Sequence, residues 1–586
     1  MTKTIIRVQS PEGTKRVDVY ESDTLSSLYD KIHHEFDIDE SRRNEWTLYS
    51  DRNKNLPISH SKSTRALEIV SHGDIIYLFQ SAPIANPDLD HGEEDDVDAE
   101  LAKQDGLISR DRDPQLCHHG PSGKCIHCVP VESYDLDYLK KINPSIKYIS
   151  FNAYLKKLHE GGNKAKYLSL ENLNCKIKPG CKEHPAWPKG ICNKCQPPTI
   201  YLNQQVYRHV DNIMFENGQI VEKFLNYWRR SGNQRVGFLF GRYEAYDGIP
   251  LGIKAVVSAI YEPPQITTES SVQLELPDPN EEKVFAMAKK LGLKCVGWIF
   301  TDLLRDDTGK GVVKHYRGDA KTFFLSSDEC IMAGYFQNKF KNYSRYSSDG
   351  YFGSKFVTVV VTGDSNNQIH FEGYQVSNQC ASLVRDECII PTYDVPQLAY
   401  IRESSNEKYI PDVYFREKDQ YNNEVTKIAR PLPVEYLILD LPAAFAKEPT
   451  YTFNEGNLAK EPFPIENRAD IGESQDFNSL KSYMKQFPPY RFIDAMSDFH
   501  LLIFLVTNQT VSIESTIDTL LDAIKSKNAQ KANEWAKTPE WSTIEHFLVE
   551  GTSTVMVEEW QCEMCTYLNE DTFNECQMCQ TPRIRN

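Results

Sequence analysis

The sequence lacks several features that would place it in common functional classes. No apolar run is long enough to cross a bilayer, since the longest spans only residues 501–506, so we expect no direct insertion into a membrane. No apolar stretch follows Met1, so we expect no secretory signal peptide. The phosphate-cradling motif G-x-x-x-x-G-K-[ST] is also absent, so we expect that the chain is not itself an ATP-driven motor.

Positive charge is scarce as well. The 586 residues carry 66 Lys and Arg against 83 Asp and Glu, which gives a net charge of −17. Because an excess of negative charge repels phosphate groups, we expect neither nucleic acid nor anionic lipid to be the main partner.

Cysteine is plentiful, but its pattern is not that of a secreted protein. Most of the 15 cysteines fall into spacings typical of zinc sites, and no export signal accompanies them. This combination favours a reducing compartment, the cytoplasm or the nucleus. The remaining cysteines are interpreted as ordinary core or surface thiols: Cys175, Cys295, Cys330, Cys380 and Cys388.

The last cysteines of the chain predict a zinc finger at residues 559–583. They have the spacing C-x2-C-x10-C-x2-C, in which two tight knuckles complete a tetrahedral zinc shell. A segment of about 25 residues is too short for a core of its own, so the metal must supply its folding energy. The predicted ligands are Cys562, Cys565, Cys576 and Cys579.

The residues around these ligands resemble an NZF-type finger, a module that binds the apolar patch of ubiquitin. Trp560 precedes the first cysteine, Thr566 and Tyr567 follow the second, and Met578 lies inside the last knuckle. The resemblance implies that Thr566, Tyr567 and Met578 contact ubiquitin. A related finger binds single-stranded RNA, but the acidic loop at 569–575 favours ubiquitin.

Two further clusters predict structural zinc sites of three cysteines and one histidine within residues 114–225. Each has a C-x2-C knuckle with a Cys and a His upstream, and four protein ligands leave no open position for catalysis. In the first cluster His118 and His127 compete with His119, and in the second Cys175 could replace Cys181. The predicted ligands are Cys117, His119, Cys125 and Cys128, and then Cys181, His184, Cys192 and Cys195.

The N-terminal 80 residues predict a ubiquitin-like β-grasp, with another small α+β sandwich as the alternative. A predicted hairpin precedes a helix capped by Asp23, and further strands follow. Apolar residues recur on one face of that helix, at Leu25, Leu28, Ile32 and Phe36. Residues 81–113 are acidic and poor in large apolar side chains, which predicts a mobile linker.

Residues 226–394 alternate strands and helices, and the segment 296–302 resembles the central motif of MPN-type zinc deubiquitinases. Active members of that family have two zinc-binding histidines, a zinc-binding aspartate and a general-base glutamate. Here the two histidine positions hold Phe300 and Asp302. The aspartate position holds Glu329, and the glutamate position holds Gln234. The resemblance therefore implies an MPN (α/β) domain that is catalytically inactive and retained for binding.

The remainder predicts a multidomain α+β protein. Residues 395–545 are interpreted as a mostly helical C-terminal domain, with its clearest helices at 493–506 and 516–525. Residues 546–558 would then link this domain to the terminal zinc finger.

This order of parts resembles the nuclear protein localisation 4 family, as do the stretches 252–255 and 260–265. The resemblance implies a non-enzymatic cofactor of a hexameric AAA ATPase, valosin-containing protein. It would pair with the ubiquitin fusion degradation 1 protein and recruit polyubiquitinated substrates for proteasomal or endoplasmic-reticulum-associated degradation. It also implies a groove for unfolded ubiquitin, a cytoplasmic and nuclear location, and peripheral association with the endoplasmic reticulum. The N-terminal domain would be UBX-like and dock on the ATPase, although the usual Phe-Pro-Arg loop is absent. An MPN-type deubiquitinase is the alternative.

Overall fold

The computed structural model describes most of the chain. The described residues are 4–10, 13–36, 38, 46–50, 57–58, 64–80, 94–120, 123–160, 170–179, 181, 183–305, 313–315, 324–347, 349–418, 420–453, 461–550, 559–561, 564, 568–570 and 578–579. Within them, no helix has the length and apolar character needed to span a membrane. The protein is a mixed α+β structure with several cores.

The N-terminal unit is a five-stranded sheet that packs on one helix. The sheet has the order β2-β1-β5-β3-β4, with β1 parallel to β5 and antiparallel to β2. The elements are β1 Thr4–Ser10, β2 Gly13–Val19, α1 Leu25–Glu35, β3 Trp46–Tyr49, β4 Pro57–Ile58, the short 3-10 helix Ala66–Glu68 and β5 Ile75–Gln80.

The apolar face predicted for helix α1 is the one that is buried. Leu28 and Ile32 are fully buried in the N-terminal core. The predicted cap is wrong by one residue, because the Thr24 hydroxyl accepts a hydrogen bond from the backbone N–H of Ser27 at 3.3 Å. The Asp23 carboxylate instead accepts from the N–H of Tyr20 at 2.8 Å and pairs with Lys31.

The predicted linker 81–113 is wrong in its second part, since residues 94–113 are ordered parts of the fold. Helix α2, Asp96–Leu101, buries Val97 and Leu101 in the core of the central sheet. Its acidic residues are not solvated, because Asp95 and Asp98 pair with Lys355, whose side chain is 4% exposed. The acidic composition that suggested a linker therefore neutralises a buried cation.

The next region carries the two upstream cysteine clusters on short elements. Its small core joins Leu139, Ile149 and Phe151 to Tyr207 and Phe352. Its elements are α3 Leu136–Ile142, β6 Ile149–Ser150, α4 Phe151–Glu160, β7 Ile200–Tyr201 and β8 Tyr207–Arg208.

The centre of the molecule is a large mixed sheet of order β23-β17-β16-β14-β10-β11-β9-β24. β10 lies between β11 and β14 and is antiparallel to both. The strands of this part are β9 Asn212–Phe215, β10 Val236–Tyr246, β11 Gly252–Tyr261, β12 Gln265–Thr267, β13 Val272–Leu274, β14 Lys294–Arg305, β15 Val313–His315, β16 Val357–Gly363 and β17 Ile369–Val376.

Helices cover this sheet on both sides. Helix α5 begins at the cap Asn217 and ends at Gly232, whose positive φ of 83° is the left-handed conformation that glycine adopts readily. The predicted boundary at 225/226 is therefore wrong, because it falls inside one helix. The helices are α5 Gly218–Ser231, α6 Glu281–Lys290, α7 Ser327–Lys339 and α8 Asn378–Arg385.

The predicted helical C-terminal domain is wrong for its first third. Residues 398–445 are mostly strands, and β23 pairs with β17 while β24 pairs with β9. Only Pro442 separates β23 from β24, so the chain passes from one edge of the central sheet to the other and closes it. The elements are β18 Ile389–Pro391, β19 Leu398–Ile401, β20 Val413–Lys418, β21 Glu424–Ile428, β22 Leu432–Pro433, the 3-10 helix Val434–Leu437, β23 Ile438–Leu441 and β24 Ala443–Phe445.

Helices dominate only after residue 476. The predicted helix 493–506 is two helices, because the Asp498 side chain accepts from the N–H groups of His500 and Leu501 and begins a new one. Their apolar faces join the largest core of the molecule. The elements are the 3-10 helices Ala469–Ile471 and Pro489–Arg491, and α9 Phe477–Met484, α10 Phe492–Met496, α11 Phe499–Thr507, α12 Ile517–Lys525, α13 Ala529–Trp535 and α14 Pro539–Glu550.

The end of the chain contains one described hairpin. β25, Glu559–Gln561, pairs antiparallel with β26, Leu568–Glu570.

Candidate metal centres and the central scaffold

The first candidate metal centre brings together Cys117, His119, Cys125 and Cys128. Their ligand atoms all lie within 4.8 Å of one another. The Sγ atom of Cys125 is 3.7 Å from that of Cys117 and 3.9 Å from that of Cys128. These separations match the edge of a ZnS tetrahedron, about 3.8 Å for Zn–S bonds of about 2.3 Å.

His119 offers Nε2 to this centre. Nε2 is 3.1 Å from the Sγ of Cys128, while Nδ1 is 2.9 Å from the carbonyl of Gly120. A Nδ1–H that donates to a carbonyl fixes the tautomer and leaves Nε2 free as a metal ligand. A Cβ on Gly123 would approach His119 to 3.2 Å, so a glycine lets the loop lie close to the ring.

The second candidate centre repeats this geometry with Cys181, His184, Cys192 and Cys195. The Sγ of Cys192 lies 3.7 Å from those of Cys181 and Cys195. His184 Nε2 is 3.0 Å from the Sγ of Cys195, and Nδ1 is 2.7 Å from the carbonyl of Pro185.

Backbone amides favour the thiolate form at both centres. Backbone hydrogen bonding, chiefly from His127, lowers the pKa of Cys125 to about 7. Backbone hydrogen bonds at Cys195 and Lys194 lower that of Cys192 to about 7. Because the thiolate is the form that binds metal, each centre offers one cysteine that ionises readily to become a ligand. Three sulfurs and one imidazole nitrogen around one point fit zinc in a closed, structural site.

The alternative ligands lie elsewhere. His118 and His127 are exposed and do not belong to the first cluster. Cys175 is 1% exposed, and its backbone N–H donates to the Asp386 carboxylate at 2.9 Å, outside the second cluster.

The second centre is tied to the rest of the molecule by two polar contacts. The indole N–H of Trp187 donates to the carbonyl of Ser405 at 2.8 Å, and the Gln196 amide donates to the Tyr409 hydroxyl at 2.7 Å. Trp187 and Tyr409 also meet edge to face, with ring centroids 5.1 Å apart. These contacts hold the loop 183–196, which carries most of the second centre, against the strand-rich segment 398–445.

Two of the positions that the sequence resemblance aligns with MPN catalytic residues lie in the core. Phe300 is 7% exposed and lies 4.8 Å from the ring of Trp298. The Gln234 amide donates to the carbonyls of Glu269 and Leu303, and its carbonyl oxygen accepts from the hydroxyl of Thr301 at 2.8 Å. An amide with these bonds stabilises the strand ends and cannot act as a general base.

The two carboxylates at this place also have structural contacts. The Thr362 hydroxyl donates to Asp302 Oδ2 at 3.1 Å. The Glu329 carboxylate accepts from the N–H of Ser326 at 2.8 Å, the reciprocal part of a capping box at the start of α7. Among the described residues, the only groups of three or more Cys, His, Asp or Glu ligands at metal-binding distance are the two upstream clusters.

A buried ion cluster, which sequence reasoning missed, joins the central sheet to the C-terminal helices. Arg235, Glu262 and Arg468 each expose 1% of their side chains. Glu262 Oε2 is 2.6 Å from Arg235 Nε and 2.9 Å from Arg468 Nε. Arg235 also lies over the ring of Tyr227, at 4.1 Å. No local sequence pattern predicts this ion cluster, because its three charged residues are 27 to 233 positions apart along the chain.

Comparisons with known proteins were consistent along the whole chain. The model of the NPL4 family matches residues 235–549, a model of the zinc binding region of that family matches residues 92–232, and one described as nuclear pore localisation protein NPL4 matches residues 3–79. The chain belongs to the NPL4 family.

Named relatives support this membership at full length. "Nuclear protein localization protein 4 homolog" from Homo sapiens is 49% identical, with 99% of each chain covered. The homolog from Drosophila melanogaster is 43% identical over 99% of this chain and 95% of its own. "Nuclear protein localization protein 4" from Saccharomyces cerevisiae is 33% identical over 93% of this chain and 100% of its own.

The match to a zinc binding region covers both upstream clusters of this NPL4-family chain. Together with the cluster geometry, it supports zinc as the cofactor. Residues 559–583, where a third finger is predicted, lie beyond the three family models.

Within this segment, Met578 is 70% exposed and Cys579 is exposed. The other predicted site residues lie outside the described part of the chain, and their placement stays a prediction: Cys562, Cys565, Thr566, Tyr567 and Cys576.

Proposed function

We propose that this NPL4-family chain is a ubiquitin-binding adaptor. It pairs with the ubiquitin fusion degradation 1 protein and recruits polyubiquitinated substrates to the hexameric AAA ATPase valosin-containing protein. The observation that carries the proposal is full-length membership in the NPL4 family, combined with a central domain whose catalytic positions hold Phe300 and Gln234. The unfolded substrates then pass to proteasomal or endoplasmic-reticulum-associated degradation.

The N-terminal unit is proposed to be the docking module for the ATPase. The parallel pairing of β1 with β5 at the middle of a five-stranded sheet, with one helix packed against it, supports a ubiquitin-like, UBX-like β-grasp. The loop 51–54 is proposed to replace the Phe-Pro-Arg loop of standard UBX domains, and it lies outside the described residues.

The three zinc sites are proposed to have different partners. The two upstream fingers would contact the ATPase ring, and the finger at 559–583 would contact ubiquitin through Thr566, Tyr567 and Met578. The central and C-terminal parts would hold unfolded ubiquitin in a groove. Several weak sites joined in one chain favour polyubiquitin over single ubiquitins through effective concentration.

The location is proposed to be the nucleus and the cytoplasm, with peripheral association with the endoplasmic reticulum. The names of the relatives support the nuclear part of this proposal.

An MPN-type deubiquitinase is the competing function, and it leads to a first prediction. Purified protein should release no ubiquitin from ubiquitin chains, because Phe300 supplies no imidazole and the Gln234 amide accepts no proton. The measurement is a cleavage assay on gel with diubiquitins of several linkages, with and without a zinc chelator. Cleavage that the chelator abolishes would show that the chain is a metalloprotease.

A second prediction concerns the terminal finger. In the full chain, Thr566→Ala with Tyr567→Ala should weaken the capture of ubiquitin chains in part and leave zinc content unchanged. The isolated finger should bind ubiquitin with a Kd of about 10–1000 μM, since such an interface lies below the standard size.

The double variant of the finger should lose the shifts that ubiquitin causes in its NMR spectrum. Met564→Ala is a matched control, because Met564 is 76% exposed, lies between Cys562 and Cys565, and is not one of the predicted contact residues. Undiminished binding by a zinc-loaded double variant would place the contact on another face.

The recruitment step is tested by binding alone. Immobilised full chain should retain longer ubiquitin chains more tightly than monoubiquitin, and tighter retention with each added ubiquitin supports several sites on one protein. Equal affinity for monoubiquitin and long chains would exclude a multi-site adaptor.

A further inference from the structure

A basic pocket with an aromatic floor lies beside helix α6, and no function described so far uses it. Its volume is about 440 Å³, which suits one or two side chains or a small ligand. Phe285 and Phe340 are half-buried in its floor with stacked rings 5.9 Å apart, and Phe240 lies beneath them, 5.2 Å from Phe285.

Five lysines line this pocket in a chain whose net charge is −17: Lys289, Lys294, Lys339, Lys341 and Lys355. Such clustering of one sign is costly unless anions neutralise it. Arginine is absent from the lining.

The chain neutralises only part of this charge. Lys355 and Lys294 share the carboxylate of Asp95, and Lys339 pairs with Glu281. Lys289 and Lys341 have no carboxylate partner in the described part of the chain, although the Lys341 ammonium lies 4.4 Å from the ring centre of Tyr351.

Asp95 shows what the pocket accepts. Asp95 is the residue just before helix α2, and its carboxylate lies among these lysines. Burial of this carboxyl group opposes its ionisation. Lys355 and Lys294 nevertheless hold the pKa of Asp95 below its usual value. One carboxylate of the chain itself thus lies among the lysines of this pocket.

We propose that this pocket docks an acidic peptide of a partner protein, whose carboxylates pair with Lys289 and Lys341 and whose large apolar side chain packs on Phe285 and Phe340. Lysine ammonium groups can pair with carboxylates or with phosphates, so the aromatic floor decides between these ligands. A phosphate ligand would leave that floor uncovered. Charge complementarity and an apolar floor together select an acidic peptide that carries Phe or Leu.

The test uses the full chain and the fluorescein-labelled peptide Gly-Asp-Glu-Leu-Phe-Asp-Glu-Gly, followed by fluorescence anisotropy. Binding should weaken as salt is raised, because the contacts are ionic at the rim. The same peptide with Asn and Gln in place of Asp and Glu should bind at least tenfold more weakly. The absence of binding by the acidic peptide at millimolar concentration would refute the proposal.

Two variants separate this pocket from general charge attraction. Lys289→Gln with Lys341→Gln should weaken binding about tenfold, by the usual effect of removing interfacial charges. Lys531→Gln with Lys537→Gln removes the same charge from exposed positions, one on α13 and one in the turn before α14, and should change little. Equal loss in both double variants would mean nonspecific attraction and would overturn the assignment.

A third variant tests the shape of the pocket. Ala286 is exposed at the pocket wall, so Ala286→Arg adds a cation and fills space without disturbing the core. A docked peptide should bind less tightly to this variant, whereas an interaction of charge alone should strengthen. Tripolyphosphate that displaces the labelled peptide at a lower concentration than unlabelled peptide does would instead make this a phosphate site and refute the peptide proposal.

Discussion

Replacing Glu262 with glutamine should destabilise the protein by about 3–5 kcal/mol, because the change removes the carboxylate that the buried guanidinium groups of Arg235 and Arg468 share and leaves only the 3.5 Å contact of Arg468 with Glu473. The loss should appear as a lower melting temperature and as faster hydrogen exchange in the central sheet and in residues 461–507. The two regions should be affected together, since the cluster joins them.

The matched control is Glu244→Gln. Glu244 also contacts two cations, Arg242 at 2.6 Å and Lys254 at 3.1 Å, but its side chain is 36% exposed. Exposed pairs contribute at most about 1 kcal/mol, so this variant should unfold close to the wild type. If Glu262→Gln were as mild as the control, the buried ion cluster would not hold the two regions together.

The same cluster gives a pH dependence. Burial opposes ionisation of Glu262, but Arg468 and Arg235 hold its pKa below the usual 4.5. A carboxyl with a lowered folded pKa contributes stability that is complete above the unfolded value and is lost as the pH falls through the folded value. The difference in stability between wild type and Glu262→Gln should therefore be constant above about pH 5 and shrink below pH 4.

The second large effect is expected at the zinc centres. Structural zinc contributes apparent free energies of about 10–16 kcal/mol in small modules, so Cys192→Ser should unfold its loop locally. Zinc content should fall from about three ions per chain to about two, by the ligand count. Hydrogen exchange should rise at residues 183–196, with the contact of Trp187 to Ser405 lost and the central sheet still protected.

Cys380→Ala is the control for this experiment. Cys380 is fully buried in the largest core and belongs to neither metal cluster, so the variant should lose stability and keep its zinc. Unchanged zinc content in Cys192→Ser would show that the second cluster is not a metal site.

The parts of the fold that follow from local pattern were predictable from the sequence. The spacing of Leu25, Leu28 and Ile32 predicted the buried face of α1, because a helical face repeats every three to four residues. The C-x2-C knuckles likewise predicted two places where sulfur atoms converge, because knuckle geometry is set by a few neighbouring residues.

The parts that depend on distant partners were not predictable. Residues 94–101 look like a solvated acidic segment until Lys355, more than 250 residues away, is placed beside Asp95 and Asp98. Strands β23 and β24 are too short to stand out, and their pairing with β17 and β9 decides their structure. Pairing between distant segments does not require a recognisable alternation of apolar and polar residues within either short strand.

The candidate site shows the same division. The resemblance to MPN enzymes is read from residue type alone, and Phe300 and Gln234 lack the imidazole and the carboxylate that active members use at the matching positions. Their structural contacts, Phe300 on Trp298 and Gln234 on Thr301 and Leu303, could be known only from the fold. The basic pocket also depends on distant partners, since its lysines come from α6, from β14, from the end of α7 and from the segment before β16, which only the fold brings together.

The central claim, recruitment of ubiquitinated substrates to an ATPase, is tested most directly by reconstitution. The components are the hexameric ATPase, the ubiquitin fusion degradation 1 partner, ATP, and a polyubiquitinated fluorescent protein whose unfolding abolishes its fluorescence. Fluorescence should fall only when this chain is added, and Glu262→Gln should reduce the effect in proportion to the unfolded fraction. Substrate unfolding at the same rate without this chain would contradict the adaptor function.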